Sequence, residues 1–138
     1  MNSFIFLARE GFYSGVTFHR VMRGVLGRPD FVAQTGDPTG TGSGGPGYSL
    51  PPEFSDEPYV RGTVGMARVG GDPNSGGSQW FITYNDRYQS ALNGQYTVFG
   101  KVVEGMEVVD TLTPRDPQNV ATPQPEGDRI ISIQITEG

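Results

Sequence analysis

Phe18-His19-Arg20-Val21-Met22-Arg23-Gly24-Val25-Leu26-Gly27-Arg28-Pro29-Asp30-Phe31-Val32-Ala33-Gln34-Thr35-Gly36-Asp37 reads as two short apolar runs joined by a Gly/Pro loop. Each run carries one polar side chain with no packing reason to be there: Arg20 between Phe18 and Val21, and Gln34 after Phe31-Val32-Ala33. A charged group inside an apolar strand costs free energy unless it is paired or used. The stretch therefore raises the question of what Arg20 and Gln34 are held in place to touch.

Around it, the chain is 138 residues long, enough for one domain with a core. Apolar residues make 35% and aromatics 11%, a globular composition. The 21 glycines and 11 prolines fall between apolar runs and read as turns of a β-rich fold. A net charge of -5 with only 10 Lys and Arg argues against a nucleic-acid or anionic-membrane partner. There is no cysteine and one histidine, so neither a thiolate nucleophile nor a multi-His or cysteine metal site is available. No run reaches the roughly 18 apolar residues of a membrane span, and no signal-peptide pattern opens the chain; the expected location is cytoplasmic.

Residues 2 to 10 are expected to be helical, with Phe4, Leu7 and Ala8 on one face, a cap at Asn2 or Ser3 and an exit at Gly11. Strands are expected over Val16–Met22, Phe31–Gln34, Gly62–Ala67, Gln79–Thr83 and Tyr96–Val103. The alternation of Ile131, Ile133 and Ile135 predicts a final strand. Met106, Val109 and Leu112 take helical spacing, and residues 84 to 95 read as loop with an Asn93-Gly94 turn. Prolines 114, 117, 123 and 125 make 113–128 an irregular surface loop. Short strands with few helices argue for a closed or nearly closed antiparallel barrel.

Several motifs are weaker than they look. Gly40-Thr41-Gly42-Ser43-Gly44-Gly45 matches a dinucleotide fingerprint by letter, but Pro46-Gly47 follows where a helix should open. Ser78 lacks the second glycine of a nucleophile elbow. His19, on the strand face opposite Phe18 and Arg20, reads as a polar residue behind the site rather than a triad member. Asp37, between Gly36 and Pro38, reads as a turn residue.

Phe18-His19-Arg20-Val21 and Phe31-Val32-Ala33-Gln34-Thr35-Gly36-Asp37 resemble the cyclophilin signature. So do Met66-Ala67, Asn74-Ser75-Gly76-Gly77-Ser78-Gln79-Trp80-Phe81-Ile82, Leu92-Asn93-Gly94 and Val98-Phe99-Gly100-Lys101-Val102-Val103-Glu104-Gly105-Met106, in the same order along nearly the whole chain. The resemblance implies a mainly β fold, an eight-stranded antiparallel barrel with two capping helices, and peptidyl-prolyl cis-trans isomerase activity on the outer barrel face without a cofactor or metal. By position it makes Arg20 the catalytic arginine. Phe31, Val32 (usually Met in the family), Phe81, Leu92 and Tyr96 become the proline pocket. Gln34, Ala67, Arg68 and Gln79 line the peptide groove, and Gln34 is counted as catalytic with Arg20, anchoring a substrate carbonyl and orienting the arginine. The implied partners are X-Pro peptides and unfolded protein clients.

The chemistry suits these residue types. X-Pro isomerisation breaks no bond but must lose amide resonance, against a barrier of about 18–20 kcal/mol. In the twisted transition state the prolyl nitrogen regains its lone pair. A guanidinium aimed at that nitrogen binds the twisted form better than the planar one. A rate gain of about 10⁵ needs only about 7 kcal/mol of such differential stabilisation. In the Gln79-Trp80-Phe81 alternation, Gln79 and Phe81 share the face opposite Trp80; periodicity alone is equally consistent with core burial of Phe81, and the resemblance implies that Gln79 and Phe81 face substrate while Trp80 enters the core.

Departures from the family pattern add further expectations. Relative to the family the first two strands are missing, which would leave strand edges open; either the sequence is a fragment with a late start, or another copy or another segment fills the gap, and a homodimer or an altered barrel is the expectation. Val25–Asp30 is an insertion beside the site, with Arg28 an added charge. Ala91 stands where many eukaryotic relatives carry a cyclosporin-contacting tryptophan, so weak cyclosporin binding is expected. Tyr96 replaces a usual histidine; with Ala91 it favours a bacterial source. The alternative function is a Pro-peptide-binding module with weak or no turnover, and a serine hydrolase is the remote one.

Overall fold

The computed structural model describes residues 2–23, 30–42, 44–49, 55–68, 76–116 and 125–136. The inserted residues 25–29, including Arg28, and the Gly70–Ser75 part of the second Gly-rich loop lie outside the described residues. In chain order the elements are α1 (Asn2–Arg9), β1 (Arg20–Val21), β2 (Val32–Thr35), β3 (Thr63–Met66), β4 (Trp80–Thr83), α2 (Gln89–Leu92), β5 (Val98–Lys101) and α3 (Met106–Val109).

The fold is mainly β: the five strands form one antiparallel sheet in the order β1-β2-β4-β3-β5. Period-two alternation sends Trp80 and Ile82 of β4 to one face and Phe81 to the other. Trp80 is the hub of the inner face. Its ring meets Phe4, Tyr13 and Phe18 edge-on at 5.8, 6.2 and 6.0 Å. The helix α1 supplies Phe4, Leu7 and Ala8 to this cluster, as its spacing dictates. It ends where Gly11 takes a φ of +75°, a left-handed exit that costs glycine little. An apolar groove of about 480 Å³ opens on this side between Phe4, Val64, Trp80, Ile82, Phe99 and Ile135. No helix among the described residues is long and apolar enough to cross a membrane.

Three expectations need correction. The predicted strand Val16–Met22 contracts to Arg20–Val21, because Phe18 N–H donates to the Asp128 carbonyl at 2.8 Å instead of joining β2. Strict alternation therefore fails before Arg20: Phe18 packs on Trp80, while Arg20 faces the opposite side beside Phe31. The segment 84–95 is not all loop. Gln89–Leu92 make one helical turn, closed by Asn93 N–H donating to the Gln89 carbonyl at 2.8 Å, and Leu92 is buried. The segment Ile131–Ile135 joins no ladder among the described residues. Ile130 bonds the backbone at Gly15 and Val16, then Ile131 turns out to 90% exposure while Ile133 and Ile135 reach the core. Its alternation reports a packing rhythm, not strand pairing.

Where β2 ends, Gly36 runs so close to β4 that a Cβ would lie 2.8 Å from the Gln79 Cα, with φ at +100°. Only glycine fits this crossing. It sets the register that aligns Gln34 with Phe81.

Candidate functional site

The sheet register assembles the site. Arg20 on β1 is paired with Gln34 on β2, Gln34 with Phe81 on β4, and Phe81 with Gly65 on β3. Directly opposed residues in an antiparallel pair share a face. Arg20, Gln34 and Phe81 therefore form one row across the outer face of the sheet.

Gly65 is the gap in that row, and the gap is needed. A Cβ there would sit 2.8 Å from Phe81 Cζ and would also strike the Tyr59 hydroxyl. The space is taken by Tyr59, stacked on Phe81 with ring centroids 5.6 Å apart, its hydroxyl donating to the Tyr96 carbonyl at 3.1 Å. Tyr96 closes on Phe81 edge-on at 5.8 Å. Val32, Ala67, Phe81 and Leu92 are buried in the same cluster, with Phe31, Tyr88 and Tyr96 at its rim. Burial raises the Tyr59 hydroxyl well above its ordinary pKa, so it remains a neutral donor.

Arg20 stands at the edge of this apolar cluster. Its guanidinium carbon is 5.9 Å from the Phe31 ring centroid, and its Nε is buried with no described group accepting from it. Buried donors are normally satisfied, and one that is not calls for an explanation.

Beside the cluster lies a polar groove of about 530 Å³, walled by Gln34, Ala67, Arg68 and Gln79 on the sheet side and by the loop around Pro46 and Tyr48 on the other. The Gln34 amide donates to Gln79 Oε1 at 2.9 Å, and Gln79 Nε2 donates to the carbonyls of Gly42 and Gly44, both at 2.9 Å. The bond from Gln34 thus runs to Gln79, away from the Arg20 it was expected to orient. Arg68 lies over the Tyr96 ring at 4.6 Å.

The loop is held by Asp37, a residue whose sequence context suggested only a turn. Asp37 is fully buried. Its Oδ1 accepts from Thr39 N–H and hydroxyl at 2.8 and 2.7 Å. Its Oδ2 accepts from the N–H groups of Thr41, Gly42 and Gly44 at 3.1, 2.6 and 3.0 Å. Burial alone would push the carboxyl up; the Thr39 hydroxyl and the backbone donors of Gly44, Thr39 and Gly42 outweigh it and hold the pKa far below the carboxylate range. The signal was readable: an Asp followed by Thr and Gly residues is a composition that wraps backbone donors around a carboxylate. Tyr59 and Gly65 had no such signal, since their roles arise only where β3, β4 and the chain before β3 meet.

His19 is buried behind the sheet, and burial lowers its pKa most, with opposing and adding contributions from Asp37, Arg115 and Arg20. The Ser78 hydroxyl is spent on the Gly36 carbonyl at 2.6 Å, and no hydrogen bond joins it to His19 among the described residues. Among the described residues no cluster of three or more His, Asp or Glu could hold a metal. The chemistry on offer is an unspent cationic donor beside an aromatic and aliphatic pocket.

The family model described as cyclophilin type peptidyl-prolyl cis-trans isomerase/CLD matches residues 1–135. A probable peptidyl-prolyl cis-trans isomerase of Brucella abortus is 48% identical over 94% of this chain and 67% of its own length. Peptidyl-prolyl cis-trans isomerase B of Bacillus subtilis is 46% identical over 80% of this chain and 71% of its own. Among solved structures, a cyclophilin-type isomerase of Cryptosporidium parvum, crystallised in the presence of the dipeptide Ala-Pro, superposes with a TM-score of 0.75. It is 35% identical, over 97% of this chain and 84% of its own.

Proposed function

The chain belongs to the cyclophilin-type peptidyl-prolyl cis-trans isomerase family, and from that premise we propose that Arg20 and the cluster around Phe81 isomerise X-Pro bonds in peptides and unfolded protein clients. The pyrrolidine ring sits against Phe31, Val32, Phe81, Leu92 and Tyr96. The segment on the other side of the bond lies along Gln34, Ala67 and Gln79 and rotates. As the amide twists, the prolyl nitrogen becomes a hydrogen-bond acceptor, and Arg20 donates to it. The guanidinium stays charged at physiological pH, and the adjoining apolar cluster strengthens its field.

The observation that carries this reading is the buried Arg20 Nε with no described acceptor, at the end of the row Arg20–Gln34–Phe81. Arg23 shares the unpartnered Nε, but its guanidinium is paired with Asp30 at 3.7 Å, whereas among the described residues no carboxylate pairs with Arg20. Gln34 acts through Gln79: it fixes the groove wall at 2.9 Å rather than holding Arg20. The Ala-Pro dipeptide present with the Cryptosporidium relative supports proline as the ligand of this pocket. A protease-coupled assay on X-Pro tetrapeptides tests the proposal. Turnover above the thermal rate is the expected result. Peptide binding without turnover would reduce the protein to a Pro-peptide-binding module.

A further inference from the structure

We infer that the polar groove beside the proline pocket selects substrates carrying an acidic side chain next to the X-Pro bond, and that Arg68 is the residue that reads it. The inference rests on the isomerase reading above and adds the substrate class.

Among the described residues that wall the groove, only Arg68 is ionised; the rest are amides, hydroxyls, glycines, a proline and an alanine. Its volume of about 530 Å³ exceeds what one peptide side chain fills. Arg68 is half-buried, and its Nε is buried without a described acceptor. Among the described residues no carboxylate pairs with it, whereas Arg23, Arg61 and Arg129 each have one. Packing fixes the side chain: the guanidinium lies 4.6 Å from the centroid of the Tyr96 ring, whose edge meets Phe81. Arg68 therefore borders both the pocket and the groove. A substrate with its proline against Phe81 brings neighbouring side chains within reach of it.

A planar guanidinium in a fixed position matches a carboxylate through paired hydrogen bonds. The surface as a whole opposes this preference, because the chain carries a net charge of -5. Selection of an acid must then be local, through Arg68, and not through the long-range field.

The test measures kcat/KM for peptide sets that differ only in having Glu, Gln or Lys at each position flanking the X-Pro bond. Wild type is expected to favour Glu over Gln by about two- to fivefold at one position, the range of a partly exposed ion pair, and to disfavour Lys there. Arg68→Gln should bring the Glu/Gln ratio to about one, and Arg68→Lys should restore part of it. The ratio is internal to each preparation, so a loss of overall activity does not mimic the effect. A flat Glu/Gln ratio in wild type at every position, with the Gln peptides turned over, would overturn the inference and leave the isomerase reading standing. A uniform loss in Arg68→Gln with the ratio kept would assign Arg68 to packing on Tyr96 alone. No turnover of any peptide would instead strike the isomerase reading itself.

Discussion

Asp37→Asn is the perturbation whose size the structure sets most clearly. The carboxylate accepts two donors on Oδ1 and three backbone N–H groups on Oδ2 at hydrogen-bonding distance. Asparagine keeps one acceptor oxygen. Its best orientation leaves that oxygen among Thr41, Gly42 and Gly44 and loses the Thr39 N–H. The three surviving bonds change from charge-assisted to neutral, at about 1 kcal/mol each. Water reaches the exposed Thr39, Thr41 and Gly42 and offsets part of this, so the net loss is about 2–3 kcal/mol. The functional consequence follows from Gln79, whose amide is held by the Gly42 and Gly44 carbonyls of the same loop. KM should rise several-fold while kcat changes little, because Asp37 is a positioning residue remote from the rotating bond. Acid should erase the difference. The folded carboxyl has a pKa far below its unfolded value of about 3.9. Its contribution is therefore complete above that value and is lost as pH falls from there toward the folded pKa. Urea unfolding at pH 7 and at successively lower pH, with steady-state kinetics at pH 7, checks all three statements. Equal stability and equal KM for wild type and variant at pH 7 would show that the loop does not depend on the carboxylate.

Other outcomes follow from the same geometry. Gly65→Ala should destabilise the protein by about 1–3 kcal/mol and cut kcat/KM by displacing Phe81, since the new methyl meets Phe81 Cζ at 2.8 Å; thermal unfolding and the coupled assay measure both, and a neutral result would mean the Tyr59–Phe81 stack yields freely. Tyr59→Phe should cost about 1 kcal/mol by leaving the Tyr96 carbonyl without its donor, read by chemical denaturation. Cyclosporin should bind weakly, because the exposed Ala91 offers no ring at the position of the relatives' tryptophan; a nanomolar dissociation constant by calorimetry would contradict this.

How much of this was legible in the sequence depends on the range of each interaction. The alternation put Trp80 and Phe81 on opposite faces, because the pleat alone decides that; which of the two faces carries a pocket came from the family resemblance and not from periodicity. The apolar spacing of Phe4, Leu7 and Ala8 gave α1 for the same reason. Ile131–Ile135 misled, since alternation says which side chains pack but not whether a neighbour offers backbone groups. The β propensity of Val16–Met22 exceeds its strand, because propensity is blind to Phe18 pairing with Asp128. At the site, the residue types of Arg20 and Gln34 marked them as misplaced polar groups, and the register then aligned them with Phe81. Tyr59 and Gly65 were invisible beforehand: one fills the gap the other leaves, and that relation exists only across strands. The role of Asp37 exceeds what its sequence context suggests, because its partners lie two to seven residues ahead in a segment that reads simply as turn.

The central claim is that Arg20 stabilises the twisted amide rather than the bound peptide. The direct measurement is kcat for an X-Pro peptide with wild type, Arg20→Lys and Arg20→Ala, alongside the peptide's dissociation constant for each. A loss of one charge-assisted hydrogen bond in the transition state alone predicts kcat lower by about 10²–10³ in Arg20→Ala, with the dissociation constant within a few-fold of wild type. Arg20→Ala that turns over at the wild-type rate, or that loses binding and turnover in equal measure, would contradict it.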